Sequence, residues 1–464
     1  MLLLFNSYEF IFIFLPITFF VYFYLNKKRL GDVAKGFLVC SNLFFYAWWN
    51  IYYLPILIIS VIFNYFIGRL LLNENLKICK KQVLIIGIVC NVAFLAYFKY
   101  SDFLIQNFNA ISGSKINLLH ISLPLALSFV TFQQITYLVD SYHMNTKENS
   151  FLNYSLFITF FPQLIAGPIV HHKEMMPQFA NKFNLIKNYK NIATGLFIFS
   201  IGLFKKVVIA DTFSLWATDG FDIAKALNFF EAWATSLSYT FQLYFDFSGY
   251  CDMAIGLALM FNIKLPINFN SPYKALDIQD FWHRWHITLS RFLRDYIYIP
   301  LGGNREGRRR TYINLMIVFL IGGLWHGAAW TFVFWGFLHG AAIVIHRIWK
   351  ALNYKLNKIL AWFITFNFIN ITWVFFRARS WDDAIKILKG MFCGGFTFNI
   401  NYLQVLILCL GAVIALKFKN SGELTFYKNF NFNWRQIVAT SAFLFISILV
   451  IRLNNASEFL YFRF

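Results

Sequence analysis

Charge is scarce in this chain. Only 13% of its 464 residues are Asp, Glu, Lys or Arg, against 59% hydrophobic and 21% aromatic. A soluble domain carries about a quarter charged residues, so composition excludes one. Apolar runs of roughly the 20 residues needed to span a bilayer recur from Phe10 to Ile451 with no polar domain between them, as in a polytopic membrane protein. Acidic residues are scarcest, 21 against 41 basic, for a net charge of +20. A nucleic-acid surface would concentrate that excess. Here it is spread over short loops, which fits anchorage against an anionic cytoplasmic leaflet. The six cysteines, Cys40, Cys79, Cys90, Cys251, Cys393 and Cys409, show no CxxC spacing, so no disulfide or zinc role is assigned. No internal repeat of the kind found in transporters of inverted topology is present. The first apolar run, residues 8–25, has no basic stretch before it and no small-residue cleavage site after it, and reads as a retained helix.

Loop charge sets an expected topology. No basic residue precedes the first run, and Lys27, Lys28, Arg29 and Lys35 follow it, so the amino terminus is expected outside the cytoplasm. Spans at 35–49 and 54–72 form a hairpin through Asn50 and Pro55. A span at 82–98, an external loop at 100–120 and a span at 121–139 come next. Residues 151–168 contain Pro162, Gly167 and Pro168, which leaves a re-entrant segment and a proline-kinked span as open alternatives. Residues 192–210 read as a plain span. A longer one begins at Phe229, where Asp246 and Asp252 lie six residues apart on opposite helix faces unless Ser248 and Gly249 break or bend the helix. Asp246, deep in the apolar run, is assigned to a cavity, and Asp252 to capping a half-helix. The stretch LPINFNSPYKALDIQDFW is too polar and proline-interrupted to cross, and Asp277 is expected to cap a helix beginning near Ile278. Spans at 358–376, 401–416 and 434–451 complete the chain. Lys417, Lys419, Lys428 and Arg435 hold the loop before the last span inside, which puts the carboxy terminus outside as well.

Residues 280–340 hold what a lipid-facing helix has no use for. His283, His286, His326 and His339 lie there with Arg284, Arg291, Arg294 and Arg305 and two glycine-flanked hinges. Ionisable groups in membrane segments are costly and mark function by default. His326 sits in GGLWHGAAW, where Gly322, Gly323 and Gly327 allow close backbone approach or a break. An imidazole in apolar surroundings stays neutral and accepts a proton from a hydroxyl at neutral pH, as acyl transfer to an alcohol requires. The alternative is a histidine hydrogen-bonded for packing. His283 and His286, three residues apart, share a face and could be metal ligands, but no Cys or HExxH arrangement supports this and the interleaved aromatics suggest interface anchoring, so no metal is assigned. The arginines are cytoplasm-side cations for a carrier's phosphates or for lipid headgroups.

Three stretches, YFDFSGYCDMAIG from Tyr244, NFNSPYKALDIQDFWHRWHITLSRFLRDYIYIPLGGNR from Asn268 and GGLWHGAAWTFVFWGFLHG from Gly322, carry a family resemblance. With looser agreement from Ala47 through Phe160, the chain resembles the membrane-bound O-acyltransferases. The similar branch is the bacterial one of alginate O-acetylases, peptidoglycan O-acetyltransferases and the teichoic-acid D-alanylation protein. The resemblance implies an all-α bundle of roughly 11–12 transmembrane helices, with re-entrant and interfacial helices, around a central tunnel. It implies acetyl transfer in the cytoplasmic (inner) membrane toward a cell-surface polysaccharide, most simply peptidoglycan. The donor is expected to be acetyl-coenzyme A with no bound cofactor, and the partner an extracytoplasmic SGNH-type transferase with a Ser-His-Asp site. The family histidine matches His326, a second matches His339 as a supporting residue, and Asp246, Trp325, Asn270 and Trp282 are the expected tunnel residues. Arg284, Arg291 and Arg294 are the expected donor contacts, and His283 inherits no role.

The chain divides into a core, 1–430, and a last segment, 431–464, that carries the final span and ends in Phe459, Leu460, Tyr461, Phe462, Arg463 and Phe464. One reading of that ending is an aromatic belt at the interface. The order F-x-Y-x-x-F also resembles a short carboxy-terminal signature of related acyl-transfer systems. That resemblance makes Tyr461 the acyl acceptor, with Phe459 and Phe464 positioning its ring.

Overall fold

The computed structural model describes residues 3–75, 77–425, 433–454 and 457–460. Among them every regular element is helical. A π turn at Phe10–Phe14 runs without a break into α1 (Leu15–Lys27), whose second residue is Pro16. Helix α2 (Gly31–Trp49) returns and α3 (Leu54–Leu72) follows. Between them Asn50 Oδ1 accepts the Tyr52 N–H at 3.0 Å, which closes the expected hairpin. After α4 (Lys80–Lys99) the expected loop is half helix, α5 (Ser101–Ser112). Asp102 favours its amino end and Gly113, at φ 69°, ends it in the left-handed region.

Helix α6 (Leu127–Tyr142) is buried along almost its whole length. The proline-containing stretch then resolves into α7 (Phe151–Thr159) and one turn, α8 (Phe161–Leu164). At 9 and 4 residues neither reaches the ~20 residues of a span, so the stretch is not one continuous proline-kinked helix. Protein satisfies the broken backbone, as such a segment requires. Asn42 Oδ1 accepts the Phe161 N–H at 3.2 Å, and Gln163 Nε2 donates to the Phe157 carbonyl at 2.7 Å.

Beyond the polar α9 (His172–Ala180), α10 (Tyr189–Phe204) runs through a π turn, Lys205–Ala210, into α11 (Asp211–Thr218). The whole run, Tyr189–Ile223, is 35 residues long, well past the expected end at Ala210. Opposite it lies α12 (Phe229–Met260), 32 residues opened by a reciprocal Asn228–Glu231 cap. The expected break at Ser248–Gly249 does not occur. Gly249 serves packing instead: a Cβ on Gly202 would lie 2.5 Å from the Gly249 carbonyl oxygen, and one on Gly195 would lie 2.5 Å from that of Gly256. Two glycine pairs, seven residues apart on each helix, thus let α10 and α12 touch backbone to backbone, the small-residue contact membrane helices use. With no half-helix to cap, Asp252 pairs with Lys205 at 2.6 Å.

An irregular stretch, 262–277, leads to α13 (Ile278–Arg284), where Asp277 Oδ1 accepts the Asp280 N–H at 2.8 Å as expected, and to α14 (Ile287–Leu293). Helices α15 (Gly307–His326) and α16 (Trp330–Ala351) form an antiparallel hairpin, tight because Gly323 and Gly336 face each other. After α17 (Lys358–Arg377) an unexpected amphipathic helix, α18 (Trp381–Cys393), is capped by Ser380. Then come α19 (Tyr402–Lys417), the short α20 (Ser421–Thr425) and α21 (Trp434–Asn454), which lies against α10.

Seven described helical runs are long and apolar enough to cross a membrane. Helices α2, α12 and α15 have the length but more polar content, and α19 is apolar but shorter.

Candidate active site

His326 is the last residue of α15. Gly327 then turns extended, where a Cβ would run into the Phe332 ring. The terminal carbonyls of a helix lack intrahelical partners, and here α4 supplies them. The Tyr100 hydroxyl donates to the Leu324 carbonyl at 2.7 Å, and the Lys99 ammonium donates to the carbonyls of Trp325 and of His326, the latter at 3.2 Å. A cation at this end also opposes the helix dipole. The His326 side chain is buried against the edges of Trp335 and Phe376, with ring centroids 5.2 and 5.0 Å away. Lys99 and Tyr100 carried no sequence signal, since a basic–aromatic pair ending an apolar helix usually marks an interface.

His286 stands 6.5 Å from His326, centroid to centroid, and is fully buried. It does not share a face with His283, contrary to the spacing argument. Helix α13 ends at Arg284, and His286, at φ 45°, starts a new helix, so His283 is exposed while His286 points inward. Asn268 Oδ1 accepts the Thr288 N–H at 3.1 Å and its hydroxyl at 2.9 Å, and lies 3.2 Å from His286 Nδ1. An amide oxygen only accepts, so His286 carries its proton on Nδ1 and its lone pair on Nε2.

His339 is occupied on both sides. Its Nδ1 accepts the Trp282 indole N–H at 3.2 Å, and its Nε2 lies 3.1 Å from the Thr372 hydroxyl, which itself donates to the Ile369 carbonyl. Nε2–H is therefore the donor in that contact. The arrangement suits support of Trp282 rather than proton transfer.

A cavity of about 450 Å³ ends at His326 and Trp335, with Trp282 on its wall and His283, Arg291, Arg294 and Arg347 toward the end from which α15 starts. A neighbouring bay shares Gln279, Asn304 and Arg347 and adds Arg308, Tyr312 and Lys350. Of the expected donor contacts, Arg291 and Arg294 line the cavity, although Arg291 is paired with Glu174 and Arg294 with Asp295. Arg284 does not line it; it pairs with Asp280 and donates to the Asn270 carbonyl. Arg347, Arg308 and Lys350 were missed, because nothing in the sequence brings α16 alongside the start of α15.

The other expected tunnel residues lie elsewhere. Trp325 stacks on Phe132 at 5.1 Å, behind the cavity. Asn270 Oδ1 accepts from Asn420. Asp246 pairs with Lys206 at 2.8 Å and accepts the Leu460 N–H at 3.1 Å. Tyr461 and Phe464 lie outside the described residues, while Phe459 is 1% exposed. No cluster of three or more His, Cys, Asp or Glu side chains suited to a metal occurs among the described residues.

Residues 141–379, which carry all four central histidines, match the model of MBOAT, the membrane-bound O-acyltransferase family. The chain is 50% identical to a peptidoglycan O-acetyltransferase of Helicobacter pylori, over 100% of this chain and 98% of the relative. It is 39% identical to a probable alginate O-acetylase of Pseudomonas aeruginosa, over 85% of this chain and 75% of the relative. A teichoic acid D-alanyltransferase of Bacillus subtilis is 26% identical over 55% of this chain and 69% of its own length. Full-length likeness, an all-helical membrane bundle and a buried histidine on the wall of a cavity agree, and the chain belongs to the membrane-bound O-acyltransferase family as an O-acetyltransferase.

Proposed function

We propose that the protein carries acetyl groups from acetyl-coenzyme A on the cytoplasmic side to peptidoglycan outside, with His326 as general base and Tyr461 as the first acceptor. The observation that carries this reading is the position of His326 at the inner end of a cavity whose other end is basic. That end adjoins Arg308, Arg309 and Arg310, so the positive-inside rule assigns it to the cytoplasm. The apolar arm suits a pantetheine chain, and Arg347, Arg308 and Lys350 suit phosphates. Peptidoglycan is favoured because the relative similar over its full length is named for it. Alginate, or another exopolysaccharide, is the second reading, favoured by the alginate O-acetylase relatives.

In the first step the His326 imidazole takes the phenolic proton of Tyr461 as the phenol oxygen attacks the thioester carbonyl. The tetrahedral intermediate expels the thiolate, which recovers the proton from the imidazolium. A phenol, pKa about 10, is a better leaving group than a sugar alcohol, so the phenyl ester remains an active donor. An extracytoplasmic Ser-His-Asp partner of SGNH type then moves the acetyl group to the sugar. Inverted vesicles given labelled acetyl-coenzyme A test this: label is expected on the carboxy-terminal peptide, absent in His326→Ala and Tyr461→Phe. Wild-type surface O-acetylation in His326→Ala at unchanged abundance would sink the assignment. Base-labile acetate lost from the wall, rather than from exopolysaccharide, in a deletion strain identifies the acceptor.

A further inference from the structure

The last described residues enter the helical bundle. Lys206 and Asp246 sit within the long runs of α10–α11 and α12, their side chains 2% and 3% exposed and 2.8 Å apart, and Lys206 also lies 2.8 Å from Asp211. One ammonium thus serves two carboxylates. Its third donor goes to the carboxy-terminal segment, to the Glu458 carbonyl at 2.9 Å. The Leu460 N–H donates to Asp246 Oδ2 at 3.1 Å, the Ser457 hydroxyl to Asp211 at 2.6 Å, and Asn6 Nδ2 to the Ser457 carbonyl at 3.0 Å. The Phe459 ring meets Tyr250 edge-on at 4.7 Å, and the Lys206 ammonium lies 5.1 Å from its centroid.

An ammonium has three donors and a carboxylate needs both oxygens satisfied. Among the described residues, the third donor of Lys206 and the second oxygen of Asp246 are matched by the main chain of this segment. Without the segment the ion pair would remain, but one buried N–H of Lys206 and one oxygen of Asp246 would be left without a partner. We infer that Lys206, Asp246 and Asp211 form a receptor that grips the carboxy-terminal segment by its main chain and by Phe459, and so fixes where the residues after Leu460 begin. The receptor adjoins the site. Phe247, next to Asp246, meets His286 edge-on at 4.8 Å, and His286 faces His326. As a device for presenting an acceptor, the inference rests on the Tyr461 relay. Lys206 and Asp246 act as positioning residues in it.

Amide exchange read by mass spectrometry on the full-length protein in nanodiscs tests the receptor directly. The Leu460 amide is expected to exchange slowly in the wild type. In Lys206→Met/Asp246→Leu, which keeps volume and removes both main-chain partners, it should exchange about tenfold faster or more, with surface O-acetylation lost. If that double variant does not fold, Phe459→Ala decides, since it alters the segment alone: faster Leu460 exchange with α12 still protected supports the receptor. Unchanged slow exchange in either folded variant overturns it. Tyr461→Phe separates the two ideas. Slow Leu460 exchange with acetylation retained would remove the relay and leave the receptor, whereas slow exchange with acetylation lost supports both.

Discussion

Replacing Lys99 with Met removes the cation that closes the end of α15. Three hydrogen bonds disappear, to the carbonyls of Trp325 and His326 and, at 3.4 Å, to the Ser128 hydroxyl. Hydrogen bonds from charged donors contribute about 1.5–3 kcal/mol each, and the dipole interaction adds about 0.3–1 kcal/mol. The methionine no longer has to bury an ammonium, which offsets much of that sum, so the net loss of stability is expected near ~1–3 kcal/mol. The larger effect is positional. His326 is the residue whose own carbonyl is released, and a shift of about 1 Å in a catalytic group costs roughly a hundredfold in rate. Acetyl transfer by Lys99→Met in reconstituted vesicles is therefore expected to fall about 10- to 100-fold in kcat. The KM for the donor should stay close to wild type, because Lys99 does not line the cavity. Lys99→Arg, which keeps the charge, should recover part of the rate. A wild-type kcat in Lys99→Met, or a loss explained by lower abundance alone, would refute this role.

Three other substitutions probe separate features. Gly202→Ala places a methyl 2.5 Å from the Gly249 carbonyl and should cost about 1–3 kcal/mol or more, read as a lower apparent Tm in detergent; Gly36→Ala, with nothing within 4 Å, should not. Arg347→Ala should raise the donor KM several-fold with little change in kcat, since Arg347 borders both the cavity and the basic bay. Glu148 contributes stability that depends on pH. Burial alone would raise its pKa, but hydrogen bonds from His172 and the Ser150 N–H outweigh it and hold the carboxyl below the usual range. That stability is present above the unfolded-state pKa and lost as pH falls through the lower folded-state value. The Tm difference between wild type and Glu148→Gln should therefore persist at neutral pH and shrink in acid; a difference that grew in acid would contradict it.

Hydropathy read most of the fold because spanning helices need only length and apolarity, and α3 was expected at 54–72, where it lies. It failed where polarity means a partner instead of a boundary. Residues 192–210 read as a plain span although Lys205 and Lys206 stand adjacent inside it. A charge at that depth is affordable only with a counter-charge, and Asp252 and Asp246 are those counter-charges. Taken as a pair sharing one cavity, the two aspartates require a bend at Gly249. Weighed against the two lysines, they need no bend. Aspartates six residues apart on opposite faces of a straight helix can each meet one of two adjacent lysines, and the glycine is released for helix packing.

The same accounting explains what stayed hidden at the site. His326 was legible because a histidine between glycines is a local pattern. Lys99 and the carboxy-terminal segment were not, because their partners are more than 200 residues away in sequence: 226 for Lys99 and Trp325, 214 for Asp246 and Leu460, 252 for Lys206 and Glu458. Both have one form, a buried charged group whose remaining hydrogen-bonding capacity is met by backbone distant in sequence. Lys99 serves the end of a helix, and Lys206 with Asp246 serves an extended segment that has no ladder or helix to satisfy it. In an apolar chain with so few charges, a buried lysine or aspartate with hydrogen-bonding capacity beyond its ion pair therefore points to a piece of backbone that it satisfies. Here those pieces are the helix end that carries His326, the proposed base, and the segment that precedes Tyr461, the proposed acceptor.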